Sequence, residues 1–274
     1  MRCGWRRFPI TVLEAHMQAA LSSTDRVALV TGGARRIGAA IVRSLAQSGY
    51  AVAIHANRSG VEAEVLRAEI EAAGGRAAVI LADLADRDAV ARLVGAAGAA
   101  MGPLTLLVNN AGEFETDVFG TLDRKRVERQ FAVNLWAPLF LAQAFAAQAH
   151  RHDDASIINV LDQRVFRPTP RFFSYTLSKS ALHTATTTLA QALAPHIRVN
   201  AVAPGPTLPS PRQDAQAFAR QAQLVPLGRG PSPEDIAAAV LYLAQAASVT
   251  GVTIAVDGGQ HIAWQTPDAA GVDE

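Results

Sequence analysis

The sequence predicts an α/β fold, a doubly wound parallel seven-stranded sheet with helices on both faces. Three observations predict it. Short apolar runs recur along the chain, each bounded by glycine, proline or polar residues, as buried parallel strands are. Helical patterns separate them, and repeated strand–helix–strand units demand right-handed crossovers and hence parallel strands. The length of 274 residues, half of them apolar, suits one large core rather than two small ones.

The elements follow in order. The first strand is read at 27–31, stopped by Gly32 and Gly33. Ile37, Ala40, Ile41, Ser44 and Leu45 then recur at helical spacing. The second strand is read at 51–55. A helix at 61–73 ends at Gly74 and Gly75. The third strand spans 77–81, the third helix 86–100 and the fourth strand 104–108. A long helix covers about 122–149, the fifth strand 156–160, and another helix 174–194, stopped by Pro195. The sixth strand is read at 198–203. The stretch 204–211 is read as a mobile proline-rich loop over the site, and no element is assigned before residue 224. Ser232, Pro233 and Asp235 supply a cap, a first-turn proline and a capping-box acid, so a helix starts there and runs to about 243. Residues 253–256 close the sheet.

Residues 25–265 are thus one domain, with an N-terminal extension at 1–24 and a tail at 266–274. Arg2, Arg6 and Arg7 ahead of an apolar stretch mimic a secretory signal. Pro9, Glu14 and His16 interrupt it, so the segment reads as a poorly ordered extension or a surface helix, with Met17 an alternative start. Cys3 is the one cysteine, so no internal disulfide forms, as suits a reducing, cytoplasmic setting. The formal charge of +1 gives no reason to expect nucleic acid or a membrane surface as partner. No apolar run reaches about 18 residues, so no membrane-spanning helix is expected. The histidines show no metal-ligand spacing, so no metal is expected.

The chemistry-bearing segments lie at strand ends, where ligands bind in such folds. Residues 31–38 read T-G-G-A-R-R-I-G and join the first strand to the first helix. Gly32 and Gly38 let the backbone approach a pyrophosphate, and the helix N-terminus supplies amide donors. The second strand ends His55-Ala-Asn-Arg58-Ser59, without the acid that would bind ribose hydroxyls and repel a 2′-phosphate. Arg58, Ser59 and Arg35 can instead bind a phosphate. Tyr175 and Lys179 stand four apart on one helix face, a proton donor beside a cation that can lower its pKa. Asn109-Asn110-Ala111-Gly112 follows the fourth strand.

These segments resemble the short-chain dehydrogenase/reductase family, over about residues 26–259. The loop is similar to its T-G-x-x-x-G-x-G motif, 109–112 to its N-N-A-G motif, and Tyr175 with Lys179 to its Y-x-x-x-K motif. The resemblance implies a Rossmann-like domain that binds NADP(H). It implies cofactor contacts from Gly32, Arg35, Arg36, Ile37, Gly38, His55, Arg58, Ser59, Asp83, Leu84, Asn110, Ala111, Gly112, Tyr175, Lys179, Pro204 and Gly205, with Asp83 and Leu84 at the adenine. It assigns Asn134 a catalytic part, holding a water near the lysine. It also implies a homotetramer packed through the helices at 122–149 and 174–194. Ala142, Ala146, Ala181 and Ala185 would allow close approach there, or equally within the domain.

Four departures narrow the family. Arg36 replaces the middle glycine. Asp162 replaces the serine thirteen residues before Tyr175. Phe114 lies two residues after Gly112, and His55 to Ser59 has its own pattern. All four resemble the pteridine reductase branch. That branch implies a pterin-like substrate touched by Arg36, Phe114, Asp162 and Tyr175, with Phe114 stacking on a flat heterocycle. An ionised Asp162 can only accept hydrogen bonds. Three explanations stay open: a protonated Asp162 that donates, an ionised one that accepts heterocycle N–H groups, or a weak or inactive relative. Gln163 and Arg164 adjoin it and could face the pocket, although no spacing requires it. His261 and Trp264 could cap a pocket or a subunit contact. The expected function is reduction of pterin C=N bonds, on dihydrobiopterin, dihydromonapterin or dihydrofolate. The alternatives are an NADP-dependent carbonyl reductase or alcohol dehydrogenase, and a non-catalytic NADP-binding regulator.

Overall fold

The computed structural model describes residues 26–149, 154–210 and 213–264. The readings of the N-terminal extension, of Cys3 and of the tail lie outside these residues.

Seven strands form one parallel sheet. They are β1 (Val27–Val30), β2 (Ala51–Ala56), β3 (Ala77–Leu81), β4 (Leu106–Asn109), β5 (Ala155–Val160), β6 (Ile197–Pro204) and β7 (Thr253–Val256). Their order is β3-β2-β1-β4-β5-β6-β7, and every pairing is parallel. The order reverses between β1 and β4, which opens a crevice at their carboxyl ends. Strands β1, β2, β4 and β5 are buried along their whole length, because helices cover both faces.

One face carries α1 (Arg36–Gln47), α2 (Gly60–Ala72) and, further along, α8 (Pro233–Gln245). Ile41, Val42 and Leu45 of α1 and Ile236, Val240 and Leu243 of α8 pack there against Val30, Ile54 and Val202. The other face carries α3 (Arg87–Met101), α4 (Arg124–Phe131), α5 (Ala137–Ala149) and α6 (Phe173–Leu193). Leu93, Leu141 and Phe145 pack there against Leu29, Leu107 and Ile157. Asp86 caps α3, and Ser232 with Asp235 forms the capping box expected for α8.

Two features depart from the sequence reading, and one open choice is narrowed. The long helix at 122–149 is interrupted by a π-turn at Ala132–Trp136, which carries Asn134. Together these turns make Arg124–Gln148 long and apolar enough to cross a membrane by length and composition. Its Leu141, Ala142 and Phe145 are fully buried on the sheet, so it is a core helix. The second departure is α7 (Ala215–Gln223), a helix within the stretch left unassigned. Asp214 caps it, and although none of its residues is fully buried, Ala217, Phe218, Gln221 and Ala222 share its half-buried face. For the four alanines the sequence leaves a subunit contact and an intradomain contact equally open. Ala142, Ala146, Ala181 and Ala185 pack within the domain, while Trp136, Phe140 and Leu177 of the same segments face outward.

Candidate active site

An open cleft of about 1470 Å³ runs across the carboxyl edge of the sheet. All the expected site residues line it except Asn134.

The cofactor end is built by the backbone. Gly32 takes a positive φ of 60°, and a Cβ on Gly38 would lie 2.1 Å from the Gly32 carbonyl oxygen. Only glycine fits at Gly38. His55 is 2% exposed and ties the loop down. Its Nδ1 accepts the Gly32 N–H (3.1 Å), so its Nε2 carries the proton and donates to the Ala82 carbonyl (3.1 Å). Burial lowers its pKa, against the pull of that carbonyl and of Asp83, so the ring stays neutral. Asn110 Nδ2 donates to the Thr31 (2.8 Å) and Gly32 (3.0 Å) carbonyls. His55 and Asn110 therefore shape the loop from behind, with both side chains engaged by protein.

Arg58 and Ser59 border the cleft at the end of β2, and Arg58 is exposed. Arg35 is 61% exposed and lies 3.5 Å from Glu62, a surface pair of little strength. Asp83 receives Arg129 through both terminal nitrogens at 3.2 Å. Burial pushes the Asp83 pKa up, but the Ala85 N–H and Arg129 outweigh it, and the group ends below its ordinary value. The Arg129 Nε also donates to Glu113 (2.6 Å), so Arg129 links Asp83 to Glu113 along the cleft wall. No sequence signal marked Arg129.

The other end is built by side chains from separate loops. Tyr175 and Lys179 lie on the first turns of α6, both buried. The Tyr175 hydroxyl donates to Asp162 Oδ2 (3.2 Å). Lys179 Nζ donates to the Val160 carbonyl (2.7 Å). The spacing suggested that the lysine lowers the tyrosine pKa. The structure shows the reverse. Burial first, then the Asp162 charge, push Tyr175 well above its ordinary value, and Arg164 opposes them only in part. Lys179 itself is lowered to about 8 by burial, with Asp162 acting the other way. Burial outweighs the i, i+4 pairing here.

Asn134 sits behind the cleft, fully buried. Its Oδ1 accepts the Glu113 N–H (2.8 Å), and its Nδ2 donates to the Glu113 carbonyl (2.9 Å) and to Ser178 Oγ (3.2 Å). A Cβ on Gly112 would lie 3.3 Å from Asn134 Oδ1 and 3.6 Å from Lys179 Nζ. Asn134 thus holds the 112–113 turn beside the lysine, and its side chain is occupied by that task.

Phe114 stacks face to face on Phe172 (centroids 4.2 Å, 11° between planes) and meets Tyr175 edge-on (4.7 Å). Phe172 has a positive φ of 56°, a strained value for an aromatic residue. Neither Phe172 nor the orientation of Arg164 was foreseen, although Phe172 lies one helical turn before Tyr175. Arg36 also has a positive φ, 55°, at the position where the family has glycine, and its Nη2 reaches across to the Leu208 carbonyl (3.3 Å). Pro204 and Gly205 close the cleft after β6, where a Cβ on Gly205 would lie 2.6 Å from Asp257 Cα. His261 pairs with the buried Asp257 (2.8 Å), and Trp264 is exposed. Among the described residues no cluster of side chains could hold a metal ion.

This cleft defines an oxidoreductase of the dinucleotide-binding α/β class. The short chain dehydrogenase family pattern matches residues 26–219, and the chain belongs to that family. The chain is similar to FolM alternative dihydrofolate reductase 1 from Brucella suis, solved in complex with NADP, at 51% identity. That structure covers 91% of this chain and 100% of its own, with a TM-score of 0.88. FolM alternative dihydrofolate reductase 1 from Brucella canis, complexed with NADP, is 50% identical, with coverages of 90% of this chain and 98% of its own and a TM-score of 0.87. A curated relative with a different substrate, L-rhamnose 1-dehydrogenase (NAD(P)(+)) of a Sphingomonas strain, is 35% identical over 88% of this chain and 98% of its own length.

Proposed function

We propose that this chain is an NADPH-dependent reductase of pterin C=N bonds, acting on dihydrobiopterin- or dihydromonapterin-like compounds and on dihydrofolate. The observation that carries the reading is Asp162 in the serine position, accepting from Tyr175 beside the ring of Phe114. A carboxylate accepts ring or amino N–H groups, which a pterin offers and a simple ketone lacks.

The cleft suits the cofactor. The α1 N-terminus and Gly32 to Gly38 face the pyrophosphate position. Arg58, Ser59 and Arg35 suit a 2′-phosphate, and the end of β2 bears no acid to repel it. Asp83 and Leu84 suit the adenine, and Lys179 the nicotinamide ribose. NADPH bound there supplies hydride to a ring carbon. Tyr175, kept protonated by its surroundings, supplies the proton to the adjacent nitrogen. Asp162 orients the heterocycle, Phe114 stacks on it, and Arg36 contacts both phosphate and substrate. Asn134 positions Lys179 and the turn at Gly112. The exposed Trp136, Phe140 and Leu177 support a homotetramer built on the α4–α6 surface. A single cysteine supports a cytoplasmic location.

The test is NADPH oxidation by the purified protein with dihydrobiopterin and dihydrofolate, beside a panel of simple ketones. Pterin turnover that disappears in Tyr175→Phe and Asp162→Ala supports the assignment. Ketone turnover without pterin turnover replaces it with a carbonyl reductase or alcohol dehydrogenase, the reading that the rhamnose dehydrogenase relative favours. Tight NADPH binding with no turnover of any substrate replaces it with a non-catalytic regulator.

A further inference from the structure

We infer that Arg164 is a specificity-determining residue: by binding both carboxylate oxygens of Asp162 it fixes that side chain as an acceptor, and so tunes the site to a heterocycle N–H. The inference rests on the pterin reading and adds a residue to it.

The geometry begins with the chain reversal after β5. Asp162 caps the short turn Gln163–Val165, accepting the Arg164 N–H at 2.8 Å. That turn folds the Arg164 side chain back over its own cap. Its Nη1 then donates to Oδ1 (3.2 Å) and Oδ2 (3.1 Å) of Asp162. Tyr175 O–H donates to Oδ2 as well. Oδ1 of Asp162 therefore faces Arg164 donors only. Oδ2 meets an Arg164 donor and the Tyr175 hydroxyl, which turns to a bound substrate and so frees a lone pair on Oδ2. The Arg164 donors occupy both oxygens, so the pairing favours Asp162 as an acceptor.

Two surroundings hold Arg164 in place. The side chains of Arg164 and Asp162 are 19% and 16% exposed, so the pair is shielded from solvent. The guanidinium carbon lies 5.4 Å from the Phe114 centroid and 5.2 Å from the Phe172 centroid. Its Nε is buried and has no hydrogen-bond partner. An unsatisfied donor inside a substrate cleft persists where the group has another task. Here that task is to balance the charge Asp162 places beside Tyr175. Arg164 opposes the upward push that Asp162 gives the tyrosine. A serine in position 162 would need no such partner. A ketone brings only an acceptor oxygen beside the carboxylate, whereas a pterin brings, next to the nitrogen that takes the proton, N–H groups that Asp162 accepts.

A double-mutant cycle tests this. Wild type, Arg164→Met, Asp162→Ser and the double variant are compared in kcat/KM for dihydrobiopterin and for a simple ketone. NADPH affinity, read by fluorescence, checks that each variant is folded. Arg164→Met is expected to lower pterin kcat/KM by at least about tenfold with NADPH affinity unchanged, and to have no further effect once Asp162 is serine. Arg164→Lys should restore part of the loss. Additive effects of the two substitutions overturn the inference, as does a loss of NADPH binding equal to the loss of turnover. If the wild type reduces ketones and no pterin, the functional reading fails separately. The cycle is then scored on the ketone, where additivity again overturns the role of Arg164.

Discussion

The two ends of the cleft are made of different material. At the cofactor end, the shape comes from backbone: Gly32 at positive φ, Gly38 against the Gly32 carbonyl, and the His55 and Asn110 bonds that hold the loop. At the substrate end, it comes from side chains on separate loops. Phe114 follows β4, Asp162 and Arg164 follow β5, Phe172 precedes α6, and Leu208 follows β6. The first end needs small residues at fixed spacing within one strand–turn–helix unit. The second needs particular charges and rings brought together across the sheet. Binding is thereby built into the fold, and specificity is placed on loops that can change without disturbing it.

That contrast breaks most visibly at Tyr175. Tyr175→Phe removes the hydroxyl proposed as proton donor and keeps the ring that meets Phe114 edge-on. Its turnover should fall by about 10²- to 10⁴-fold with NADPH affinity nearly unchanged. Single-turnover kinetics beside a fluorescence titration reads both. A parallel loss of NADPH binding would show that the two ends are not separable.

Lys179 lies where the ends meet, and its burial is legible as a pH effect. The unfolded amine titrates near 10.5 and the folded one near 8. Below pH 8 both forms are charged, and burying that charge costs about 3 kcal/mol. Between pH 8 and 10.5 the folded protein alone has shed the proton, so stability rises with pH. Urea unfolding of wild type and Lys179→Met, without cofactor, should show the wild type gaining on the variant across that window. A difference that stays flat from pH 7 to 10 would mean that the Val160 carbonyl and local water fully accommodate the charge.

Gly38→Ala tests the cofactor end alone. The added Cβ would lie 2.1 Å from the Gly32 carbonyl oxygen and 2.7 Å from Asn110 Nδ2, so the loop must shift. Overpacking of this kind costs about 1 to 3 kcal/mol. NADPH affinity should drop at least about tenfold, while substrate discrimination between pterin and ketone stays as in wild type. A change in discrimination would place the loop in the substrate end as well.

The same contrast explains what could be read from sequence. The strands were legible because apolar runs bounded by turn residues have few other uses, and 77–81 and 253–256 match β3 and β7 in full. The site residues were legible where each belongs to a compact motif: Gly32 to Gly38, His55 to Ser59, Asn110 to Gly112, and Tyr175 with Lys179. Illegible were the features set by distance in space. Arg164 binds Asp162 because a three-residue turn folds it back, and Phe172 stacks on Phe114 across 58 positions of chain. The direction of the Tyr175 shift depends on burial that spacing alone does not convey. Helix α7 is nine residues long and buries none of them fully, so its amphipathic pattern is short and easily passed over.

The smallest effect separates strain from function most cleanly. Arg36 holds φ at 55° where a glycine would sit without strain, at a cost of about 1 kcal/mol. In return its side chain spans the cleft to the Leu208 carbonyl, in an exposed bond of little strength. Stability alone would therefore favour glycine. Arg36→Gly should unfold at a temperature equal to or slightly above that of the wild type, while KM for the pterin rises. A variant that is both less stable and unchanged in KM would make Arg36 a structural clasp. The opposite pair of results would show that a strained residue is kept at the junction of the two ends because the substrate needs its charge.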